Sequence, residues 1–199
     1  EFEHNQARCF KVQVPAIGPA KAVYYDIAAL KAVYQYVDEH QIEDAIVYIL
    51  ACRIGPFLKK YVKMFHSKNI QVFVNPDGHE FKRAKWNWFI RQYWKLSERL
   101  MIKNADYVVC DSQSIEKYIQ EDYKKYHPQT TFIAYGADVV DNSDDEKFTV
   151  WAKEHEVSKK EYYLIVGRFV PENNYETMIR EFMSSHTKKD LVIVTGYQD

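Results

Sequence analysis

Short apolar runs alternate with helical patterns along nearly the whole chain, and that alternation restricts the fold more than any other feature. Residues 45–50 read AIVYIL, 72–74 VFV, 107–110 YVVC, 131–135 TFIAY, 161–166 EYYLIV and 191–195 LVIVT. Each has the length of a strand, and 45–50 is apolar throughout, as a parallel strand covered on both faces requires. Between these runs, apolar residues recur at spacings of three and four. Val23, Ile27, Leu30, Tyr34 and Val37 mark a helix over 20–40, and Phe57, Tyr61 and Phe65 mark another after Pro56, a residue suited to a first helical position. Trp86, Ile90, Leu96 and Leu100 mark a third that ends near Asn104. Ser112 or Ser114 can cap a fourth, and Asn173 with Glu176 three residues later resembles a capping box. Residues 8–14 alternate apolar and polar and read as one more strand. The whole pattern predicts an α/β fold: a parallel sheet with right-handed crossovers and helices on both faces.

The 199 residues are 47% hydrophobic, enough for a sizeable core, and carry a net charge of −1 with both signs spread along the chain. A dedicated nucleic-acid binder would need a basic footprint, so no nucleic-acid partner is expected. Three cysteines, far apart and without metal-ligand spacing, read as free thiols in a reducing compartment, hence a cytoplasmic location. No apolar run approaches the roughly 20 residues that span a bilayer. The acidic stretch 141–146 (DNSDDE) is the best linker, and it divides the chain into a Rossmann-like domain over 1–140 and the start of a second over 141–199.

Three loops at strand ends carry polar groups: 52–56, 75–83 and 167–174. Ligand chemistry in open α/β sheets sits at the carboxyl ends of the strands. Residues 75–83 hold Asp77, His79, Glu80, Lys82 and Arg83 around Gly78, directly after an apolar run. That density makes the loop a candidate site. The competing reading is a turn at Asp77-Gly78 followed by a helix that Glu80 begins. Arg168, after a strand and a glycine, is either a surface arginine or a bidentate partner for phosphate. The run 82–88 (KRAKWNW) is a solvated helix start, or a basic and aromatic edge that touches an anionic membrane surface.

Residues 166–174 (VGRFVPENN) resemble the motif that opens the second domain of family 4 glycosyltransferases, and 75–86 (NPDGHEFKRAKW) resemble a signature of a bacterial branch that includes rhamnosyltransferases building capsule and cell-wall polysaccharides. Residues 52–56 (CRIGP) and 133–138 (IAYGAD) match the same branch, so the resemblance covers nearly the whole chain. It implies a GT-B architecture, two Rossmann-like domains facing each other across a cleft. It also implies a nucleotide-sugar donor such as dTDP-rhamnose or a UDP-sugar, and a saccharide or lipid-linked acceptor. No metal or cofactor is implied, because cations and helix amides neutralise the leaving diphosphate. Asp77, His79 and Glu80 match the acceptor-side loop, where a carboxylate orients the acceptor hydroxyl or steadies an oxocarbenium-like transition state. Arg53, Gly55, Gly78, Arg83 and Asp138 match substrate-binding positions. Arg168 matches the arginine on the diphosphate, and the usual partner lysine falls at Asn173.

A full member of the branch has a further strand and glycine-rich loop before Glu1 and a pair of glutamates after Asp199. The resemblance therefore marks the chain as an internal fragment, expected to be inactive alone. The leading expectation is a retaining hexosyltransferase at the cytoplasmic face of the membrane. The others are a nucleotide-sugar epimerase of the same architecture and a noncatalytic sugar- or nucleotide-binding module.

Overall fold

The computed structural model describes residues 1–139, 145–157 and 161–196. The chain divides into two compact units, Glu1–Tyr135 and Gly136–Asp199. Most of the acidic stretch 141–146 lies outside the described residues.

The first unit begins with a hairpin, β1 (Phe2–His4) antiparallel to β2 (Ala7–Cys9). Of the alternating run 8–14, only the part up to Cys9 forms a strand. Its partner is the short β1, and beyond Cys9 the chain continues without regular structure as far as Gly18. Then follow α1 (Lys21–Glu39), β3 (Ile46–Leu50), α2 (Gly55–His66), β4 (Gln71–Asn75), α3 (Trp88–Asn104), β5 (Tyr107–Cys110), α4 (Gln113–Asp122) and β6 (Thr130–Phe132). β3 to β6 form one parallel sheet in chain order, a Rossmann-like α/β arrangement. The expected strand over 131–135 is shifted to Thr130–Phe132.

The register sets Ile49, Val74 and Val108 side by side on one face. Against them pack Leu58, Val62 and Phe65 of α2, Met101 and Ile102 of α3 and Ile119 of α4. Burying a Leu, Ile or Phe side chain fully contributes about 1.5–3 kcal/mol, so this face holds the unit together. Asp106, in the turn between α3 and β5, ties the end of α2 to the sheet: its carboxylate accepts from the Val72 amide at 2.7 Å and lies 2.9 Å from His66 Nε2. The other face of β3 is open, with Ile46, Tyr48 and Leu50 exposed at 56%, 46% and 58%. The expectation that 45–50 is covered on both faces is corrected accordingly. An apolar run meets the demands of either environment, and only long-range packing decides between them.

The expected helix start near 82–86 is also corrected. Residues Glu80–Lys82 make a single 3-10 turn, and α3 begins at Trp88, where the Asn87 side chain accepts from the Ile90 amide at 3.0 Å. Ser112 caps α4 as expected, accepting from the Ile115 amide at 3.3 Å.

The second unit contains α5 (Asp145–Glu154), β7 (Tyr162–Val166), α6 (Tyr175–Ser184) and β8 (Asp190–Val194). β7 and β8 are parallel, with α6 as the crossover. The capping box is not formed. Asn174, before α6, stands at φ 52° without a side-chain cap, and the Asn173 side chain instead donates to the Arg168 carbonyl at 2.7 Å.

Candidate functional site

Two loops meet at the carboxyl ends of the adjacent strands β3 and β4, and both leave their strands through strained backbone. Ala51 stands at φ 71° and Asp77 at φ 57°, a left-handed conformation that costs a non-glycine residue about 1–3 kcal/mol. Asn75 holds both in place. Its carbonyl accepts from the Ala51 amide at 2.9 Å, and its side-chain oxygen accepts from the Asp77 amide at 2.8 Å. The Asn75 amide nitrogen donates to the hydroxyls of Tyr48 and Tyr135, each at 3.2 Å. Asn75 is buried, so these bonds replace the water it has lost. Gly78 follows at φ 86°, where a side chain would be strained.

The two loops enclose a cleft of about 280 Å³. Cys52, Arg53, Asp77, Glu80, Trp86 and Glu98 are on its wall, with Gly78, Arg83, Lys85 and Trp94 beside them. Glu80 is the hub of the loop. Its carboxylate lies 2.9 Å from Arg83 Nε and 3.4 Å from Lys85 Nζ, and it accepts from the Trp86 indole at 3.0 Å. Charge-assisted bonds of this kind are among the stronger polar contacts. They hold Trp86 on the cleft wall, with its ring centroid 6.2 Å from that of Trp94. Lys85 Nζ lies 4.4 Å from the Trp86 ring centroid, a cation–π contact. Asp77 is exposed at the cleft's edge.

Arg53 is fixed from behind. Nη1 donates to both oxygens of the buried Asp26, each at 3.1 Å, and its carbonyl accepts from Tyr93 Oη at 2.8 Å. Burial pushes the Asp26 carboxyl up from its ordinary value, and the guanidinium opposes that rise. Cys52 is fully buried. Burial, together with the fields of Glu98 and Asp77, drives its thiol well above the ordinary range, so it is a neutral packing group rather than a nucleophile.

Sequence reasoning missed Glu98. It lies on α3, is 3% exposed, and accepts from both Tyr118 Oη and Tyr123 Oη at 2.5 Å. Burial raises its carboxyl pKa, and the two hydroxyls oppose the rise. The signal was present in the chain: Glu98 falls four residues after Trp94 and three before Met101, a carboxylate on an otherwise apolar stripe. Asp26 sits in the same way one residue before Ile27, within the apolar pattern of α1.

The structure thus brings together Arg53, Asp77, Gly78, Glu80 and Arg83. It places His79 and Gly55 elsewhere. The His79 ring packs 4.2 Å from that of Tyr118, and burial, then Lys82, lowers its pKa, which keeps the imidazole neutral near pH 7. Gly55 is a packing residue. Its amide donates to Ser97 Oγ at 2.8 Å, and a Cβ there would lie 2.1 Å from the Ser97 carbonyl oxygen. Asp138, Arg168 and Asn173 belong to the second unit and are exposed. There Gly167 packs close to Tyr175, whose buried hydroxyl has no hydrogen-bond partner among the described residues.

Among the described residues no group of three or more His, Cys, Asp or Glu side chains is placed to hold a metal ion, and no helix is long and apolar enough to cross a membrane. The cleft wall thus combines two indoles, Trp86 and Trp94, with carboxylates and a guanidinium.

Residues 1–138 match a sequence family described as a domain of unknown function, DUF1972, which is found in glycosyltransferase-like proteins. No curated protein matches the chain.

Proposed function

The chain belongs to the DUF1972 family, and from that membership we propose that it is part of a retaining glycosyltransferase whose acceptor binds at the carboxyl ends of β3 and β4. The donor is a nucleotide-sugar, dTDP-rhamnose or a UDP-hexose, and the acceptor is a lipid-linked or growing cell-surface saccharide. The observation that carries this reading is the cleft itself: an exposed carboxylate, Asp77, beside an indole that the Glu80 network holds in place.

In such a transfer the bond from the anomeric carbon to the diphosphate oxygen breaks. A new bond forms from that carbon to the acceptor oxygen, and the hydroxyl proton leaves with the diphosphate. Asp77 orients the acceptor hydroxyl and offsets positive charge developing at the anomeric carbon. Trp86 and Trp94 take the apolar face of the acceptor ring. Glu80 is a positioning residue, because its oxygens are already engaged by Arg83, Lys85 and Trp86. Arg168, in a loop entering a helix, is suited to the diphosphate. The reaction belongs in the cytoplasm, where nucleotide-sugars are made.

The test is a donor screen on the intact protein, with dTDP-rhamnose against UDP-hexoses and a lipid-linked acceptor. Label transferred from one donor to the acceptor supports the reading. Product formed without acceptor would point to an epimerase instead. One observation favours a noncatalytic binding module: the Asn173 side chain is spent on the Arg168 carbonyl rather than supplying a second cation. Donor binding without turnover would establish that alternative.

A further inference from the structure

Glu98 lines the cleft and is 3% exposed, so it forms the floor rather than the rim. Two tyrosines hold it from the far side. Tyr118 Oη and Tyr123 Oη both donate to the same oxygen, Oε1, each at 2.5 Å, and the two hydroxyls lie 3.2 Å apart. Their rings meet edge to face at 5.8 Å, and the His79 ring packs 4.2 Å from that of Tyr118. Neither tyrosine lines the cleft. One carboxyl oxygen is thereby fixed. The other, Oε2, has no hydrogen-bond partner among the described residues.

Core packing does not explain such a group. Taking a carboxyl group out of water is costly, and a residue that only fills space would be apolar. Buried polar atoms are paired in nearly all folded proteins. An oxygen held at the floor of a cleft and left unpaired is set to meet a group that enters the cleft. The other carboxylates there are differently employed: Glu80 is engaged by Arg83, Lys85 and Trp86, and Asp77 is exposed at the edge. Trp94, also on the cleft wall, stands four residues before Glu98 on α3 and so shares its helix face. A ring laid on the Trp94 indole carries its edge hydroxyls over Glu98.

We propose that Glu98 is a specificity-determining residue of the cleft, whose Oε2 accepts a hydrogen bond from a ring hydroxyl of the bound saccharide. Tyr118 and Tyr123 are positioning residues that hold the carboxyl group there, and His79 acts through Tyr118. The inference rests on the acceptor-site reading for its ligand class. It adds how the cleft chooses among saccharides. A site built to bond a hydroxyl rejects the analogue that lacks it, because the buried partner is then left unpaired.

The experiment is titration of the intact protein with methyl α-rhamnoside, methyl α-glucoside and their singly deoxygenated analogues, followed by ligand NMR and tryptophan fluorescence. The unsubstituted protein should bind one parent glycoside at least about tenfold more tightly than the analogue lacking one particular hydroxyl. Glu98→Gln should cut that ratio to about threefold or less. Glu98→Leu/Tyr118→Phe/Tyr123→Phe removes the carboxyl group together with both of its donors, so no buried hydroxyl is orphaned, and should bring the ratio to about one. Unfolding curves measured alongside show which variants are folded. A role confined to stability would lower the unfolding midpoint and leave the ratio as it was, and that result overturns this inference alone. So does equal binding of each parent and all its analogues by the unsubstituted protein. No binding of any glycoside overturns the acceptor site, and this inference with it.

Discussion

The loop after β4 and the loop after β7 occupy the same topological position, each following a parallel strand, yet they are built differently. The first rests on buried polar groups. Asn75 ties two left-handed residues together, Asp26 holds Arg53, and Glu80 gathers Arg83, Lys85 and Trp86. The second rests on its own backbone, with Val170 and Asn173 amides bonded locally and the Asn173 side chain on Arg168. Arg168 itself is exposed. A pre-organised site needs its side chains held by a supporting layer. The first loop has that layer of buried polar side chains within its own unit, whereas the second is tied by the Gly167 amide to the Val194 carbonyl at 3.1 Å and by the packing of Phe169 on Tyr175.

Two glycines break the comparison most sharply. Gly55→Ala drives a methyl group into the Ser97 backbone at 2.1 Å. Destabilisation of about 3 kcal/mol or more is expected, read as a lower denaturant midpoint. At Gly167 the added carbon would meet only the Tyr175 hydroxyl at 3.2 Å and the Asn173 side chain at 3.3 Å. Gly167→Ala should therefore shift stability by less than about 0.5 kcal/mol. Equal effects at the two sites would contradict the tighter packing of the first unit at Gly55.

Next in size is Glu80→Ala, which strips the hub from the first loop. About 2 kcal/mol is expected, with a change in Trp86 fluorescence, because a charged acceptor of the indole N–H is lost. Under the transferase reading, Arg168→Ala leaves the unfolding midpoint where it is and lowers turnover about a hundredfold. If both variants altered stability alike, the second loop would have a supporting layer of its own.

Glu98 gives a smaller effect that depends on pH. Its pKa in the folded protein lies above the ordinary 4.5, so the folded state binds the proton more tightly than the unfolded state. Its contribution is full below pH 4.5 and declines as pH rises through the folded value. Glu98→Gln should flatten that decline in a series of unfolding curves. His79 acts in the opposite sense. Its pKa is lowered below 6.5, so its contribution is present above that pH and is lost as the pH falls through the lowered value.

The strands were readable where the apolar run was bounded on both sides. β5 occupies Tyr107–Cys110 as its sequence predicts, because Asp106 and Asp111 interrupt the pattern at each end. The loop after β4 was readable as a cluster of charges, and five of its expected residues and neighbours do share one cleft. The start of α3 was not readable, since Lys82–Trp86 keeps helical spacing but is claimed by the Glu80 network and the Asn87 cap. Nor were Asp26 and Glu98. Their burial depends on Arg53, Tyr118 and Tyr123, each 20 or more residues away in the chain. The open face of β3 was hidden for the same reason.

The most direct measurement compares sugar transfer by the intact protein with that of Asp77→Asn, at saturating nucleotide-sugar and with a lipid-linked acceptor. Asp77 is exposed and makes no side-chain bond that the fold depends on among the described residues. The substitution should preserve stability and donor binding while slowing transfer about a hundredfold. Transfer at the unsubstituted rate, or no transfer from any donor by the unsubstituted protein, would contradict an acceptor site at the ends of β3 and β4.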